Sequence, residues 1–354
     1  LNGDQTARGL QNHVCLARGS LVLTRRGYVE IQDIQVGDMV LTHRGRWKPV
    51  QVVVNTGVRP VVGMRAQGVA ALTLTPEHKV WARKSNWTRQ RDGAERATPD
   101  WIRSDEAVGG YVNLKLPPVE PCSLTQQECW IVGRWLADGH VGTRGDFFIS
   151  VGPDKVFHFE EMAGDHAGTC AERTAMQYRL KGLSAGVLET LRNCGRGAGG
   201  KQIPVELLAI SGVQAESLLS GYLSGDGHFL PERGRWMATT VSRPLALGLA
   251  MLAQRVHGAV VSVHPGRSAG KATIEGREVQ SRQEWVVSFD VEMNSRRKSQ
   301  FILPDGAWKK VRSADAIGEM ETWCLRVEDD ASFTAEGCIV ANCPLQIDIV
   351  DRQD

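Results

Sequence analysis

The sequence lacks the features that would place it in a membrane or an oxidising compartment. No apolar run in its 354 residues approaches the length needed to cross a bilayer, and residues 1–14 are polar and unlike a signal peptide. Its eight cysteines include no Cys-x-x-Cys pair and no repeated Cys/His ligand pattern. We therefore expect a cytoplasmic protein in a reducing environment, with no membrane partner.

An excess of charge of one sign is also lacking. Lysine and arginine number 42 against 40 aspartate and glutamate residues, so the net charge is only +2. Composition alone therefore does not indicate nucleic-acid binding, which has to be argued from local clusters. The length fits two or three domains.

The pattern of apolar residues predicts an all-β unit that is interrupted by a second domain. Short alternating segments with glycine turns run from residue 15 to 84, and residues 85–117 are polar and predicted to be a loop or small insertion. From Ser123 to about Pro304 the pattern is mixed helix and strand. Short strands return at 322–327 and 332–340. This layout predicts a multidomain protein, all-β with an inserted α+β domain.

One sequence pattern occurs twice inside the predicted insertion. Residues 131–140 and 219–228 both contain a glycine, four further residues and then Asp-Gly-His. Small residues spaced four apart share one helix face in each copy, namely Gly133 with Ala137 and Gly221 with Gly225. Two such faces can pack backbone to backbone, which would bring Asp138 and Asp226 side by side.

Two adjacent carboxylates suggest a metal site at the ends of these helices. With the backbone carbonyls of Ala137 and Gly225, Asp138 and Asp226 would offer the hard oxygen ligands that Mg²⁺ prefers. A metal held there could activate water and stabilise the leaving oxygen in phosphodiester cleavage. A single Asp-Gly would be better explained as a turn that ends a helix. Two copies favour the functional interpretation.

The repeat resembles the LAGLIDADG homing endonucleases, in which paired motif helices form a pseudo-twofold interface. The resemblance implies that Asp138 and Asp226 are catalytic metal ligands and that duplex DNA is the substrate. Residues 201–204 are similar to a lysine-containing block of the intein-borne members, and 239–256 to the block after the second motif. Lys201 would then supply charge near the scissile phosphate, although a surface lysine is an alternative.

Basic residues follow the second motif. Three strand-like segments lie at 259–264, 272–279 and 284–292. These segments and the residues after them can place cations against phosphates and polar groups against base edges. Any one of these charges is better explained as a solvated side chain. As a set they form a candidate DNA surface, which comprises Arg267, Lys271, Arg277, Arg282, Arg296, Arg297 and Lys298.

The predicted β unit carries the residues of a second chemistry. Three segments resemble successive blocks of inteins. They are the segment that starts at Cys15, the Thr75-Pro-Glu-His78 segment, and residues 327–343, which end in Asn342-Cys343. Inteins share the second block with hedgehog autoprocessing domains. The resemblance covers almost all of residues 15–342 and implies a hedgehog/intein-type all-β splicing fold.

Splicing chemistry requires these residue types. The Cys15 thiol would attack the Val14 carbonyl to form a thioester, while Thr75 and His78 polarise the amide and protonate the departing nitrogen. Cys343 would take the acyl group. Cyclisation of Asn342 to a succinimide would then release the inner segment, and a final S-to-N shift would join the flanks. No cofactor is needed for splicing.

The chain departs from the intein pattern at three positions. Ala341 and Ala331 stand where inteins commonly have helper histidines, and a methyl group cannot transfer a proton. Cys324 stands where many inteins have a catalytic aspartate; a minority class uses this cysteine as the first nucleophile. Because Cys15 is also present, we expect Cys15 to attack first and Cys324 to assist or to hold a branch intermediate.

The resulting prediction is a monomeric, self-excising element with a nested nuclease. Its segments are the N-extein 1–14, splicing-domain parts 15–117 and 305–342, an endonuclease at 118–304, and the C-extein 343–354. The flanks resemble an amino-type DNA methyltransferase, and a phage DNA-packaging enzyme is an alternative host. Two other functions stay open: splicing with an inactive nuclease, and a LAGLIDADG-type DNA-binding regulator without splicing.

Overall fold

The computed structural model describes residues 14–84, 97–172, 176–259, 261–274, 277–291 and 299–343. The chain divides into two compact units. Unit 1 comprises Leu1–Gln67, Ala71–Lys115 and Lys298–Asp354, and unit 2 comprises Gly68–Ala70 and Leu116–Arg297. The return to unit 1 precedes the predicted boundary at 304/305 because strand β20 (Gln300–Leu303) pairs with the long strand β21 of unit 1.

Unit 1 is built from antiparallel strands that form one continuous sheet. Besides β20, its strands are β1 (Leu16–Ala17), β2 (Leu21–Thr24), β3 (Gly27–Glu30), β4 (Met39–Leu41), β5 (Trp47–Ala66), β6 (Leu72–Leu74), β7 (Lys79–Arg83), β8 (Asp100–Arg103), β9 (Tyr111–Leu114), β21 (Gly306–Val327), β22 (Ser332–Ala335) and β23 (Cys338–Ala341). The paired β5 and β21 run alongside each other for most of their length and form the spine of the unit.

The prediction of a loop across residues 85–117 is wrong for the part that the structure describes. Strand β8 pairs with β7, and β9 pairs with β7, β21 and β23, so both strands belong to the sheet. The polar and charged neighbours of these four-residue strands hid the pattern. Tyr111 is nevertheless buried and packs with Phe301 and Trp308.

The sheet topology brings the two ends of the predicted splicing segment together. The short strand β1, which follows Cys15, lies between β6 and β21, with Leu16 opposite both Leu74 and Trp323. Strand β23, which precedes Asn342, pairs with β7 at Val340 and Val80. The turn between β6 and β7 therefore lies near both ends.

Unit 2 contains the two copies of the repeat, each as a helix followed by a four-stranded antiparallel sheet. The first copy is α1 (Gln126–Asp138) and the sheet β10 (Gly139–Val141), β11 (Phe147–Val151), β13 (Met176–Leu180) and β12 (Ala167–Glu172). The second is α5 (Gly212–Asp226) and the sheet β14 (Gly227–Leu230), β15 (Arg235–Thr240), β19 (Trp285–Asp290) and β16 (Ser262–Pro265).

Further helices and one hairpin complete unit 2. They are α2 (Val156–Ala163), α3 (Ala185–Asn193), α4 (Val205–Leu208), α6 (Arg243–His257) and the paired strands β17 (Gly270–Ile274) and β18 (Arg277–Ser281). Helix α1 begins in a capping box between Thr125 and Glu128, which satisfies backbone N–H groups of its first turn. In the described part of the chain, the helices are too short or too polar for a membrane crossing.

Helices α1 and α5 pack at the close distance that the small residues of the repeat predict. A Cβ atom at Gly133 would lie 2.0 Å from the carbonyl oxygen of Leu218, and one at Gly221 would lie 2.1 Å from that of Trp130. Both distances are far below van der Waals contact, so a larger residue would push the helices apart. The prediction of backbone-to-backbone packing is confirmed.

Candidate functional site

The peptide bond between Val14 and Cys15 is held from one side by Thr75. The Cys15 N–H donates to Thr75 Oγ1 at 3.1 Å, and the Thr75 N–H donates to the Cys15 carbonyl at 2.9 Å. Both residues are buried. Because the nitrogen of this bond is the Cys15 amide, the threonine hydroxyl contacts the group that would leave in a cleavage.

Three cysteines converge around the same bond. Cys15, Cys324 and Cys343 form a buried cluster with Val14 packed against it. The Cys15 and Cys324 sulfurs lie 2.9 Å apart, and Cys324 Sγ donates to the Val14 carbonyl at 3.2 Å. Pairing of β1 with β21 explains this placement, because Leu16 lies opposite Trp323. A protonated Cys324 would therefore polarise the carbonyl that a nucleophile at Cys15 attacks.

The electrostatics distinguish the two thiols. The pKa of Cys15 is lowered, first by the hydrogen bond from Cys324 and then by one from Thr56, whose Oγ1 lies 3.1 Å from the Cys15 sulfur; burial acts in the opposite direction. The pKa of Cys324 is raised by its contacts with Cys15 and Cys343 and by burial. Cys15 is thus the better thiolate and Cys324 the proton donor.

His78 is a buried neutral imidazole. Burial lowers its pKa to about 4, while the nearby backbone groups of Cys15 and Ala341 act weakly in the opposite direction. Neither ring nitrogen finds a partner of hydrogen-bond geometry within the described residues. The ring therefore lies beside both predicted cleavage points and is uncharged at neutral pH.

The Asn342 side chain is held by a pair of hydrogen bonds. Its Nδ2 donates to the Val327 carbonyl and its Oδ1 accepts from the Val327 N–H, each at 3.0 Å. The Asn342 N–H donates to the Ala331 carbonyl at 2.8 Å, and the Cys343 N–H donates to Leu325 at 3.2 Å. Strand β21 and the turn before β22 therefore hold this junction in a defined position.

A cavity of about 470 Å³ opens beside this junction. The predicted residues Cys15, Thr75, His78, Cys324 and Cys343 thus lie in one region with Asn342. Thr56 was not predicted, because it sits within the 20-residue strand β5 without any local motif. The residues that line the cavity are Val14, Lys79, Trp101, Arg326, Ala331, Ala341, Asn342 and Cys343.

In unit 2 the repeat brings Asp138 and Asp226 to the adjacent ends of α1 and α5. Burial and the neighbouring Asp138 raise the pKa of Asp226 to about 6, while the cations Lys201, Arg134 and Lys155 act to lower it. Arg134 is almost completely buried and its Nη1 forms an ion pair with Asp138. The carboxylates therefore lie among cations of the chain.

The donors that were predicted to hold Mg²⁺ are engaged by these cations. The Ala137 carbonyl accepts from Lys201 Nζ at 3.2 Å, and the Gly225 carbonyl accepts from Lys155 Nζ at 2.5 Å. A metal would have to displace these ammonium groups and the guanidinium of Arg134. The donor set as arranged does not fit a bound cation.

Lys201 has a position that neither sequence interpretation described. It is buried, and its Nζ also donates to the carbonyls of Trp135 at 2.9 Å and Leu136 at 3.0 Å. Burial lowers its pKa to about 8. The ammonium group therefore caps the carboxyl end of α1, where carbonyls lack helical partners. It is not a surface lysine.

The predicted DNA surface is described only in part. Arg267 is exposed but pairs with Glu284 at 2.5 Å, and Lys271 and Arg282 are exposed. The side chain of Arg277 lies outside the described residues, as do all of Arg296, Arg297 and Lys298. DNA binding by this set stays a prediction.

Comparison with known proteins bears on unit 1 in particular. Residues 14–96 match the family described as the Hint domain. The chain is also similar to the ATP-dependent DNA helicase Hel308 of Thermococcus kodakarensis, with 25% identity over an alignment that covers 93% of this chain and 36% of the helicase. The chain thus spans about a third of the length of that relative.

Two solved structures are similar at low identity. A DnaB intein from Synechocystis sp. PCC 6803 matches 93% of this chain and 98% of its own length, with 9% identity and a TM-score of 0.30. The N-terminal LAGLIDADG domain of DUF199/WhiA matches 48% of this chain and 80% of its own, with 8% identity and a TM-score of 0.28. The family match supports a β-rich fold of the Hint type for unit 1.

Proposed function

We propose that this chain is an intein that splices itself, with excision of residues 15–342 and ligation of the two flanks. The observation that carries the proposal is the convergence of Cys15, Cys324 and Cys343 in one buried cluster. Cys15 begins the excised segment, Cys324 lies near its end, and Cys343 is the first residue after it. Splicing requires such a meeting of distant junctions.

The first step is formation of a thioester at Cys15. Its thiolate attacks the Val14 carbonyl carbon, the C–N bond breaks and the nitrogen of Cys15 gains a proton. The Cys324 sulfur lies 2.9 Å from the Cys15 sulfur and 3.2 Å from the Val14 oxygen, so its single S–H can turn from the thiolate to the oxygen as negative charge develops there. Thr75 contacts the leaving nitrogen, and the buried imidazole of His78 lies beside it as a proton donor after it is itself protonated.

The second step transfers the acyl group from Cys15 to Cys343. The Cys343 sulfur attacks the thioester and the Cys15 thiolate leaves, which produces a branched chain. Both thiols contact Cys324 in the buried cluster. Cys324 can therefore serve as proton donor to the departing sulfur, or can carry the acyl group between the other two.

The last enzymatic step is cyclisation of Asn342. Its Nδ2 attacks its own carbonyl carbon, the bond to Cys343 breaks, and a proton passes from Nδ2 to the Cys343 nitrogen. The hydrogen bonds that tie the side chain to Val327 must break for this attack. The adjacent cavity provides room for that movement. An S-to-N shift then joins Val14 to Cys343.

Mass spectrometry of the full chain over time tests the proposal. We expect a joined peptide made of residues 1–14 and 343–354, together with the excised segment ending in a succinimide. Asn342→Ala should accumulate the branched intermediate without the joined peptide. An unchanged precursor mass after prolonged incubation with a reducing agent would overturn the proposal.

Magnesium-dependent cleavage of duplex DNA by unit 2 is a second proposed activity. Asp138 and Asp226 at the ends of tightly packed helices support it, whereas the contacts of Arg134, Lys155 and Lys201 with the same donors oppose it. Those contacts favour the alternative in which the nuclease is inactive. A DNA-binding regulator without splicing leaves the cysteine cluster of unit 1 unexplained.

Plasmid linearisation in Mg²⁺ distinguishes these activities. An active nuclease would cut members of a library of randomised duplex targets; Asp138→Asn would abolish the cut products, and Asp165→Asn, at an exposed acid of the same unit, would leave them unchanged. Splicing without any cut target would favour the inactive nuclease. Cleavage that survives Asp138→Asn would contradict the assignment of the carboxylate.

A further inference from the structure

We propose that His43, acting through the Ser332 hydroxyl, supplies the imidazole that the alanines at 331 and 341 do not provide at the Asn342–Cys343 junction. The inference rests on the proposed splicing function and names a positioning residue for its last step. Both alanines line the cavity that also contains Asn342 and Cys343. The junction therefore has free space beside it, and neither alanine side chain can transfer a proton.

Strand pairing places Ser332 next to the position of the missing histidine. Ser332 lies directly opposite Ala341 in the β22–β23 ladder. Side chains at opposed positions of an antiparallel pair share one face, with Cβ atoms about 4.5–5.5 Å apart. The Ser332 hydroxyl is therefore adjacent to the space that a longer side chain at 341 would fill.

His43 is hydrogen-bonded to that hydroxyl. Its Nδ1 lies 2.7 Å from Ser332 Oγ, and its backbone N–H donates to the same oxygen at 3.1 Å. The ring also contacts Trp81 and Trp101, at centroid distances of 5.2 and 5.4 Å. Trp101 and Asn342 both line the cavity, so the His43 ring, which contacts Trp101, lies behind one wall of that cavity.

Contacts with the buried carboxylate of Asp330 fix the turn that carries His43. Thr42 Oγ1 donates to Asp330 Oδ2 at 2.6 Å, and Arg46 pairs with the same carboxylate. Asp330 is followed by Ala331, which has a φ of +49°, a left-handed conformation that alanine rarely adopts. The carbonyl of that strained residue accepts the Asn342 N–H. The β4–β5 turn and the β21–β22 turn, joined through Asp330, thus position His43, Ser332 and the backbone of Asn342.

The proton balance of cyclisation fits this pair. The attacking Nδ2 of Asn342 loses one proton and the departing nitrogen of Cys343 gains one, so no net proton is consumed. The Ser332 hydroxyl can pass its proton toward the junction while it receives one from His43, and the imidazole is restored by the proton that Nδ2 releases. No oxidant or cofactor takes part.

Separate measurement of the two cleavages tests the proposal on the full chain. Dithiothreitol cleaves the thioesters at Cys15 and Cys343 and reports the steps that precede cyclisation, whereas succinimide formation reports the Asn342 step. We expect His43→Gln and Ser332→Ala to slow succinimide formation by about 10²-fold and to leave thiol cleavage unchanged. Ser332→Thr, which keeps the hydroxyl, should retain more of the succinimide rate than Ser332→Ala, and His264→Gln, at an exposed histidine of unit 2, should change neither cleavage.

A rescue variant separates chemistry from structure. Ala341→His in the His43→Gln background should restore most of the lost rate, because it returns an imidazole to the same place. Equal slowing of both cleavages by His43→Gln, or a succinimide rate within twofold of the unchanged chain, would overturn the role of His43. Absence of thiol cleavage in the unchanged chain would instead overturn the splicing proposal itself.

Discussion

The candidate site of unit 1 and the carboxylate pair of unit 2 hold their ionisable groups in different ways. In unit 1, thiols and an imidazole are buried and contacted by hydroxyl and backbone groups, and Cys15 and Cys324 are shifted in opposite directions. In unit 2, Asp138 forms an ion pair with a buried arginine. The unit 1 site is therefore built around a neutral imidazole and two thiols of different acidity, whereas the ion pair of unit 2 holds two opposite charges together.

The two units also differ in how tightly these regions are packed. The helices of unit 2 approach so closely that neither Gly133 nor Gly221 can accept a methyl group without movement of the backbone. The junction at Asn342 in unit 1 borders a cavity of about 470 Å³. One region therefore has room for groups to move, and the other is arranged to keep two helices in place. Four predictions test this difference.

The largest effect is expected from Cys15→Ala, which removes the nucleophile of unit 1. Thioester formation should be lost completely, because Cys15 is bonded directly to the Val14 carbonyl and its thiol is the proposed nucleophile of this step. Mass spectrometry after treatment with dithiothreitol measures the loss. A thioester mapped to Cys324 in this variant would contradict the order of attack and would make Cys324 the primary nucleophile.

The second prediction concerns stability against pH. The pKa of His78 is about 4 in the folded chain and about 6.5 when unfolded, because burial disfavours the charged ring. Below pH 6.5 the unfolded state therefore binds a proton that the folded state does not, and stability falls as the pH is lowered toward 4. The full loss is about 3 kcal/mol.

Chemical denaturation at pH 7 and pH 4.5 measures this loss. His78→Gln should remove the part of the pH dependence that the buried imidazole causes, whereas His264→Gln, at an exposed position, should retain it. An identical pH dependence in the His78 variant would show that the imidazole is protonated in the folded chain. The contrast between a neutral unit 1 site and a charged unit 2 site would then fail.

The sequence allowed the local parts of both regions to be predicted. Small residues with helical spacing were sufficient for the packing of α1 and α5, because close approach depends on the absence of side-chain atoms. Short motifs placed Cys15, His78 and Asn342 in unit 1. Each of these features is encoded within a few consecutive residues.

Features that depend on tertiary contacts were not predictable. Strands β5 and β21 are 20 and 22 residues long, well above ordinary strand lengths of about 3–10 residues, so only segments of them were recognised. Lys155 donates to a carbonyl 70 residues away, which no sequence spacing indicates. Thr56 is likewise brought to Cys15 only by the pairing of β5 with β21.

The third prediction tests the packing of unit 2. Gly221→Ala should destabilise this unit by about 1–3 kcal/mol, because the new methyl group would meet the Trp130 carbonyl at 2.1 Å. Ser220→Ala, on the exposed side of the same helix, serves as the matched control. Chemical denaturation followed by tryptophan fluorescence measures the change. Equal stability of both variants would mean that the helices separate easily, and the contrast in packing would be lost.

The smallest effect is expected from Cys324→Ala, which sharpens the division of roles between the two thiols. Loss of the S–H donor 3.2 Å from the Val14 oxygen should slow thioester formation by about 10-fold, since a thiol is a weaker donor than the amides of an oxyanion hole. The same change removes the hydrogen bond that lowers the pKa of Cys15. The pH profile of thiol cleavage should therefore shift to higher pH, and Cys324→Ser should shift it less.

A slower rate with an unshifted profile would mean that Cys324 acts on the carbonyl alone. An unchanged rate would remove Cys324 from the first step and leave it only as a carrier of the acyl group.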